Sequence, residues 1–204
     1  MFKIGVTGSA GSGKSLARKG FEKLGLKTLD CDQIARQVVE PETKAYKKVV
    51  ALFGTDVVAG DLSLDRARLR NIMVNRPGMR KQLESIVHPA IVLEMAVQME
   101  AMARSGQRVC VVEVPLLFEL GMEDFFDLTL VVAADDDQLV KRISARDDVD
   151  PDNAKKMLAL QMDQEEKMKR ADHVIFNHGD KEAVFRAVAV LYEKEVKERL
   201  TKNS

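Results

Sequence analysis

Gly8-Ser9-Ala10-Gly11-Ser12-Gly13-Lys14-Ser15 fills every fixed position of the pattern G-x-x-x-x-G-K-[S/T]. It follows the apolar run Phe2 to Thr7, which predicts a buried strand. It opens the stretch Lys14 to Leu24, which predicts a helix closed by Gly25. A strand that turns through glycines straight into a helix begins an α/β chain with a parallel sheet. The residue types explain the chemistry. Glycines let backbone N–H groups converge on phosphate oxygens, and the helix start adds a positive dipole end. Lys14 offers a point charge to the β- and γ-phosphates, and Ser15 offers a hydroxyl to Mg²⁺. A Gly-rich turn without a ligand is the plain alternative, but the four fixed positions arise by chance in only about one chain of this length in a hundred. Gly8 to Ser15 are therefore the expected phosphate-binding residues.

Leu26 to Leu29 predicts a second strand, ending at Asp30. From Asp32 to about Ser105 the pattern is mostly helical, with breaks expected near Pro41, Gly54, Gly60, Pro77 and Pro89. Ile91, Val92, Met95, Ala96, Met99 and Met102 share one helical face, which reads as core packing. Strands resume at Arg108–Val114 and Asp127–Ala133, both rich in β-branched residues as buried parallel strands are. A charged helix from about Asp135 to Arg146, a turn over Asp147–Pro151 and further polar helix to about Arg170 follow. His173–Phe176 is the last strand, and Asp180 caps a helix with Val184, Val188 and Leu191 facing inward. The expected fold is a three-layer α/β phosphate-loop fold, a five-stranded parallel sheet with helices on both faces. It forms one domain, with a core at about 1–31, 106–138 and 171–204. A helical substrate-binding insertion covers about 32–105, and a lid covers about 139–170.

Composition narrows the function. At 204 residues the chain suits one domain, and 32 Lys plus Arg against 32 Asp plus Glu give no basic excess for nucleic acid. No apolar run is expected to approach the ~18 residues of a membrane helix, and the opening MFKIGVTG does not read as a signal peptide. Cys31 and Cys110 form no metal or disulfide pattern, so a reducing cytoplasm is the expected compartment. No N-K-x-D guanine motif occurs. A kinase for a small metabolite fits best, working as a monomer or small homo-oligomer. Such an enzyme needs a carboxylate at the accepting hydroxyl and arginines at the moving phosphoryl group. Asp30 and Asp32, at the carboxyl end of the second strand, are the candidate carboxylates, with a turn or helix cap as the alternative. Arg142 and Arg146 lie four apart on one helical face and are the candidate arginines. The neighbouring Lys141, Lys155, Lys156, Lys167, Lys169 and Arg170 read as a solvated charged surface.

Taken together, GVTGSAGSGKS, LDCDQIARQVVEP, IVHPAI, EVPLLFE, KRISARD and ADHVIFNHG resemble, in order, the motifs of the dephospho-coenzyme A kinases. The resemblance implies a phosphate-loop NTPase core with a helical CoA-binding part and a lid. It implies transfer of the γ-phosphoryl group of ATP to the 3′-hydroxyl of the dephospho-CoA ribose. By matching positions, Gly8 to Ser15 and the adjoining Leu16 hold the ATP phosphates, and Asn177 and Gly179 lie near the adenine. Lys14, Asp32, Asp30, Arg142 and Arg146 are the expected catalytic residues. Asp32, Arg36, His88 and Glu119 are expected to line or support the acceptor site. Ser15 would hold Mg²⁺, with Asp30 or Glu113 joining through water. For His88 the alternative is a cap at a helix break before Pro89, and for Glu119 it is support of the Gly121 turn. Ser9-Ala10 and Leu16 stand where Gly-Ile and Thr are common in the family, and Phe176 where Asp is frequent; Glu113 stands at a strand end where many phosphate-loop proteins carry a Mg²⁺-linked Asp. Two other readings are a nucleotide or nucleoside kinase of the same fold and a nucleotide sensor without catalysis.

Overall fold

The computed structural model describes residues 1–202. In chain order its main elements are β1 (Phe2–Thr7), α1 (Lys14–Lys23), β2 (Lys27–Asp30), α2 (Cys31–Gln37), α3 (Lys44–Phe53), α4 (Arg66–Asn75) and α5 (Pro77–Arg104). There follow β3 (Val109–Glu113), β4 (Leu128–Ala133), α6 (Asp136–Asp147), α7 (Pro151–Ala159), α8 (Gln164–Arg170), β5 (His173–Phe176) and α9 (Lys181–Leu191). A π-helical segment, Tyr192–Lys197, carries α9 into α10 (Glu198–Lys202). The chain divides into two compact units, residues 31–101 and the remainder.

In the sheet-bearing unit the strand order is β2-β3-β1-β4-β5, and every neighbouring pair is parallel. All residues of β3 and β4 are buried, as expected of strands covered on both faces. Ile4, Val6, Phe21, Val111, Leu130 and Val188 belong to one apolar cluster, which joins the sheet to α1 and α9. On β1, Gly5 is required by a close approach: a Cβ there would stand 2.7 Å from Leu117 Cδ1 and 2.8 Å from Phe126 Cδ2. The chain leaving β1 goes to one side, toward β2, while the chain leaving β4 goes to the other, toward β5. Such diverging connections open a crevice at the carboxyl ends of the strands. Cys110 of β3 is buried beside the Met102 sulfur at 3.5 Å, and burial pushes its thiol up to about 11.

The helical unit has its own core of Val49, Val57, Leu64 and Leu69. The Thr43 hydroxyl accepts the Tyr46 N–H at 3.2 Å to start α3, and Asp65 accepts the Arg68 N–H at 2.9 Å to start α4. Pro77 is the first residue of α5, where a missing N–H costs nothing. The break expected near Pro89 does not occur, and α5 runs through it. Pro89 and Ser85, one turn apart, are both exposed, so solvent can serve the carbonyl that Pro89 leaves without a donor. This continuity also corrects the reading of apolar runs. Gly78–Arg104 is long and apolar enough to cross a membrane by length and composition. Within the unit Met95 and Met99 of this helix are buried, Met95 against Cys31 with the sulfurs 3.9 Å apart, while Ala96 of the same stripe is exposed.

Candidate active site

The phosphate loop leaves β1 and ends in α1, whose N-cap Gly13 supplies no side-chain cap and whose first turn holds no acidic residue. The first N–H groups of a helix need an acceptor, and an anion suits them. Two glycines are held there by tight contacts. A Cβ on Gly8 would lie 2.2 Å from the Val132 carbonyl oxygen, and one on Gly13 would lie 2.3 Å from Asn177 Nδ2. Gly13 also has φ 103°, in the left-handed region. Gly13→Ala is therefore expected to cost about 1–3 kcal/mol of strain. At about 2–4 °C per kcal/mol the loss should appear in a thermal melt, together with weakened ATP binding in a calorimetric titration.

Lys14 does more than supply charge. Its ammonium is half-buried and donates to the carbonyls of Gly8 at 3.0 Å and Ser9 at 3.1 Å, so it braces the loop as well as charging it. Ser15 donates its hydroxyl hydrogen to Glu113 Oε1 at 2.8 Å. Glu113 is only 4% exposed, and its Oε2 accepts from Arg18 Nε at 2.9 Å. Asp30, half-buried at the end of β2, lies 3.6 Å from Arg18 Nη2. The parallel register pairs Asp30 with Glu113 and Glu113 with Val6, which brings both carboxylates to the strand ends.

Asn177 and Gly179 lie at the end of β5. The Asn177 side chain is buried, donates to the Ser12 carbonyl at 2.7 Å and accepts the Gly179 N–H at 3.1 Å. Its first task is to hold the loop. Phe176 is 52% exposed and stacks on His178 with ring centroids 5.9 Å apart.

The segment expected as a lid grips the same loop. Arg142 is half-buried rather than open to solvent. It donates to the carbonyls of Gly11 at 3.0 Å and Asn177 at 3.2 Å, and to Gln138 at 2.6 Å. Arg146 is exposed and pairs with Asp147 at 2.8 Å. The Gln161 side-chain oxygen accepts the Ala10 N–H at 3.0 Å. Gln164 both accepts from and donates to the Ala134 backbone, at 3.1 and 2.9 Å. A cavity of about 510 Å³ lies here, lined by Ser9, Asp136, Asp137, Lys155 and Gln161 among others. With Asp163 its three aspartates outnumber Lys155 and make it a poor place for phosphate.

Glu119 does not support the Gly121 turn, whose N–H goes to Phe118. Its Oε1 accepts the Met162 N–H at 3.0 Å and lies 2.7 Å from the Lys167 ammonium. Lys167 is fully buried, so it does not belong to the solvated surface expected of its neighbours. A buried ammonium persists when paired, and removing one partner of such a pair is strongly destabilising. Sequence reasoning passed over Arg18 and Gln161, and it read Lys167 as solvated surface. Arg18 alone carried a local signal, because it lies one helical turn after Ser15.

The remaining candidates belong to the helical unit. Asp32 is exposed in the first turn of α2, with the exposed Arg36 one turn later on the same face. His88 is half-buried inside the unbroken α5, so it caps no helix break.

Comparison with known proteins places this geometry in a family. The family model described as dephospho-CoA kinase matches residues 2–183. The dephospho-CoA kinase of Geobacillus kaustophilus is 40% identical over 191 residues, covering 94% of this chain and 95% of that protein. A Thermus thermophilus protein of known structure superposes with a TM-score of 0.79 at 35% identity, over 95% of this chain and 97% of that one. The dephospho-CoA kinase of Campylobacter jejuni superposes with a TM-score of 0.73 at 27% identity, over 97% of this chain and 98% of that one. The chain belongs to the dephospho-CoA kinase family.

Proposed function

We propose that this chain transfers the γ-phosphoryl group of ATP to the 3′-hydroxyl of the dephospho-CoA ribose, giving coenzyme A, in the cytoplasm. Family membership over nearly the whole chain carries the reading. The loop supports it, because Lys14, Ser15 and Glu113 stand assembled where a nucleoside triphosphate would end.

The donor set suits Mg²⁺. Ser15 turns its hydrogen to Glu113, so its lone pairs remain for a cation, and Mg²⁺ characteristically takes few protein oxygens and keeps waters. Bound there, it would neutralise charge between the β- and γ-phosphates. The loop N–H groups hold the phosphates, and Lys14 exchanges carbonyl partners for phosphate oxygens. Arg142, already on the loop, adds charge at the moving group, and Arg146 joins it. Asp32 orients the acceptor hydroxyl and takes its proton late, with Asp30 held toward Arg18. Arg36 and His88 serve the acceptor, and Asn177 and Gly179 shape the adenine end. Glu119 acts through Lys167 by fixing the segment that carries Gln161.

The test is mass-spectrometric detection of coenzyme A formed from ATP and dephospho-CoA, run beside nucleoside monophosphates. Faster phosphorylation of a nucleotide than of dephospho-CoA would overturn the reading. Residues 139–170 act as the lid. ATP plus dephospho-CoA is expected to slow amide hydrogen exchange there, and exchange rates unchanged by both ligands would remove the lid from the mechanism.

A further inference from the structure

Arg18 belongs to none of the sequence motifs, yet it stands among the acidic groups beside Ser15. Three residues after Ser15 on α1, it shares a face with it. Its Nε donates to Glu113 Oε2 at 2.9 Å, and its Nη2 lies 3.6 Å from Asp30 Oδ2. From behind, Nη1 donates to Glu22 Oε1 at 2.5 Å and to the Thr28 hydroxyl at 3.3 Å. The Thr28 hydroxyl donates to the same Glu22 oxygen at 2.6 Å. The Arg18 side chain is 14% exposed and that of Glu113 is 6% exposed. A planar guanidinium held along several edges has little freedom to turn.

We propose that Arg18 is a positioning residue for the divalent cation that accompanies the nucleotide. The inference rests on reading Ser15 and Glu113 as the cation's side of the site. Arg18 occupies Glu113 Oε2 and so presents Oε1 to the Ser15 hydroxyl, 2.8 Å away. That hydroxyl has one hydrogen. Donated to Glu113, it leaves only lone pairs for a cation. Without Arg18 the carboxylate is free to rotate, and the hydroxyl hydrogen can swing into the cation's place. Arg18 touches neither substrate nor cation and acts through Glu113. A lysine would keep the charge but not the fork that holds Glu113 and Asp30 together.

The experiment is calorimetric titration of the full chain with ATP, once with Mg²⁺ and once with EDTA. The proteins are the wild type, Arg18→Met, Arg18→Lys, Ser15→Ala and Glu113→Gln, each with its melting temperature recorded. Arg18→Met is expected to weaken binding with Mg²⁺ by about tenfold and binding in EDTA by less than about twofold, the scale of outer-shell groups at metal sites. Arg18→Lys should recover only part of the loss. The Mg²⁺ concentration giving half-maximal turnover should rise in parallel, with kcat restored at high Mg²⁺. Equal weakening in both titrations would mean general support of α1, and no weakening would mean a bystander; either overturns the proposal. Ser15→Ala and Glu113→Gln separate the layers. If they too leave the Mg²⁺ dependence unchanged, the cation reading falls with the proposal. If they raise the Mg²⁺ requirement and Arg18→Met does not, only the role of Arg18 falls.

Discussion

Lys14→Ala is expected to lower kcat by about 10²–10³-fold, the usual cost of removing one positioned donor from a developing charge. The ammonium sits at the start of α1 and holds two loop carbonyls, so the variant loses two things at once. It loses charge at the β- and γ-phosphates, and it loses a brace across Gly8 and Ser9. The two losses separate in measurement. A missing brace lowers the melting temperature without ligand, by about 2–4 °C per kcal/mol. Missing charge lowers kcat in protein that is still folded. Lys14→Arg tests geometry further, because a broad guanidinium cannot occupy the place of a compact ammonium between two carbonyls. Turnover of Lys14→Ala within a few-fold of wild type would sink the phosphate-loop assignment.

Asp32→Asn is expected to lower kcat by about 10²–10⁴-fold, the range of a general base. A ribose hydroxyl is a weak nucleophile at neutral pH, and most of the rate comes from positioning and charge neutralisation. The substitution keeps size and removes charge and basicity. ATP affinity should change little, because the nucleotide is held by the loop. Asp32 and Asp30 are separated by their surroundings. Asp30 is half-buried and turned toward Arg18, whereas Asp32 is exposed at the start of α2. If Asp32 is only a helix-start residue, Asn serves the helix equally well and the variant is silent. A silent Asp32→Asn would move the base to Asp30. If both kcat and Mg²⁺ affinity fall and excess Mg²⁺ restores part of the rate, the carboxylate belongs to the metal shell.

The phosphate loop was legible because its chemistry is backbone chemistry. Glycines at fixed spacing between a short apolar strand and a helix permit one local path, and the residues expected to bind phosphate lie next to one another. β3 and β4 were legible because they are buried at every position, which shows as runs of mostly apolar, β-branched residues interrupted only by Thr129 and the terminal Glu113. Pro89 was misread because a local rule about proline does not know that its turn faces solvent. The site beyond the loop depends on partners far apart in the chain. Ser15 and Glu113 are 98 residues apart, and Ala10 and Gln161 are 151 apart. Strand order β2-β3-β1-β4-β5 sets β3 against β1, and only that register carries Glu113 to Ser15. The same holds for Lys167, which looks like any surface lysine until burial forces it onto Glu119. Local pattern determined which backbone could bind phosphate and which segments could enter a sheet. The tertiary structure decided which charges meet, because a charged side chain takes its role from the burial and the partner that the folded chain brings to it.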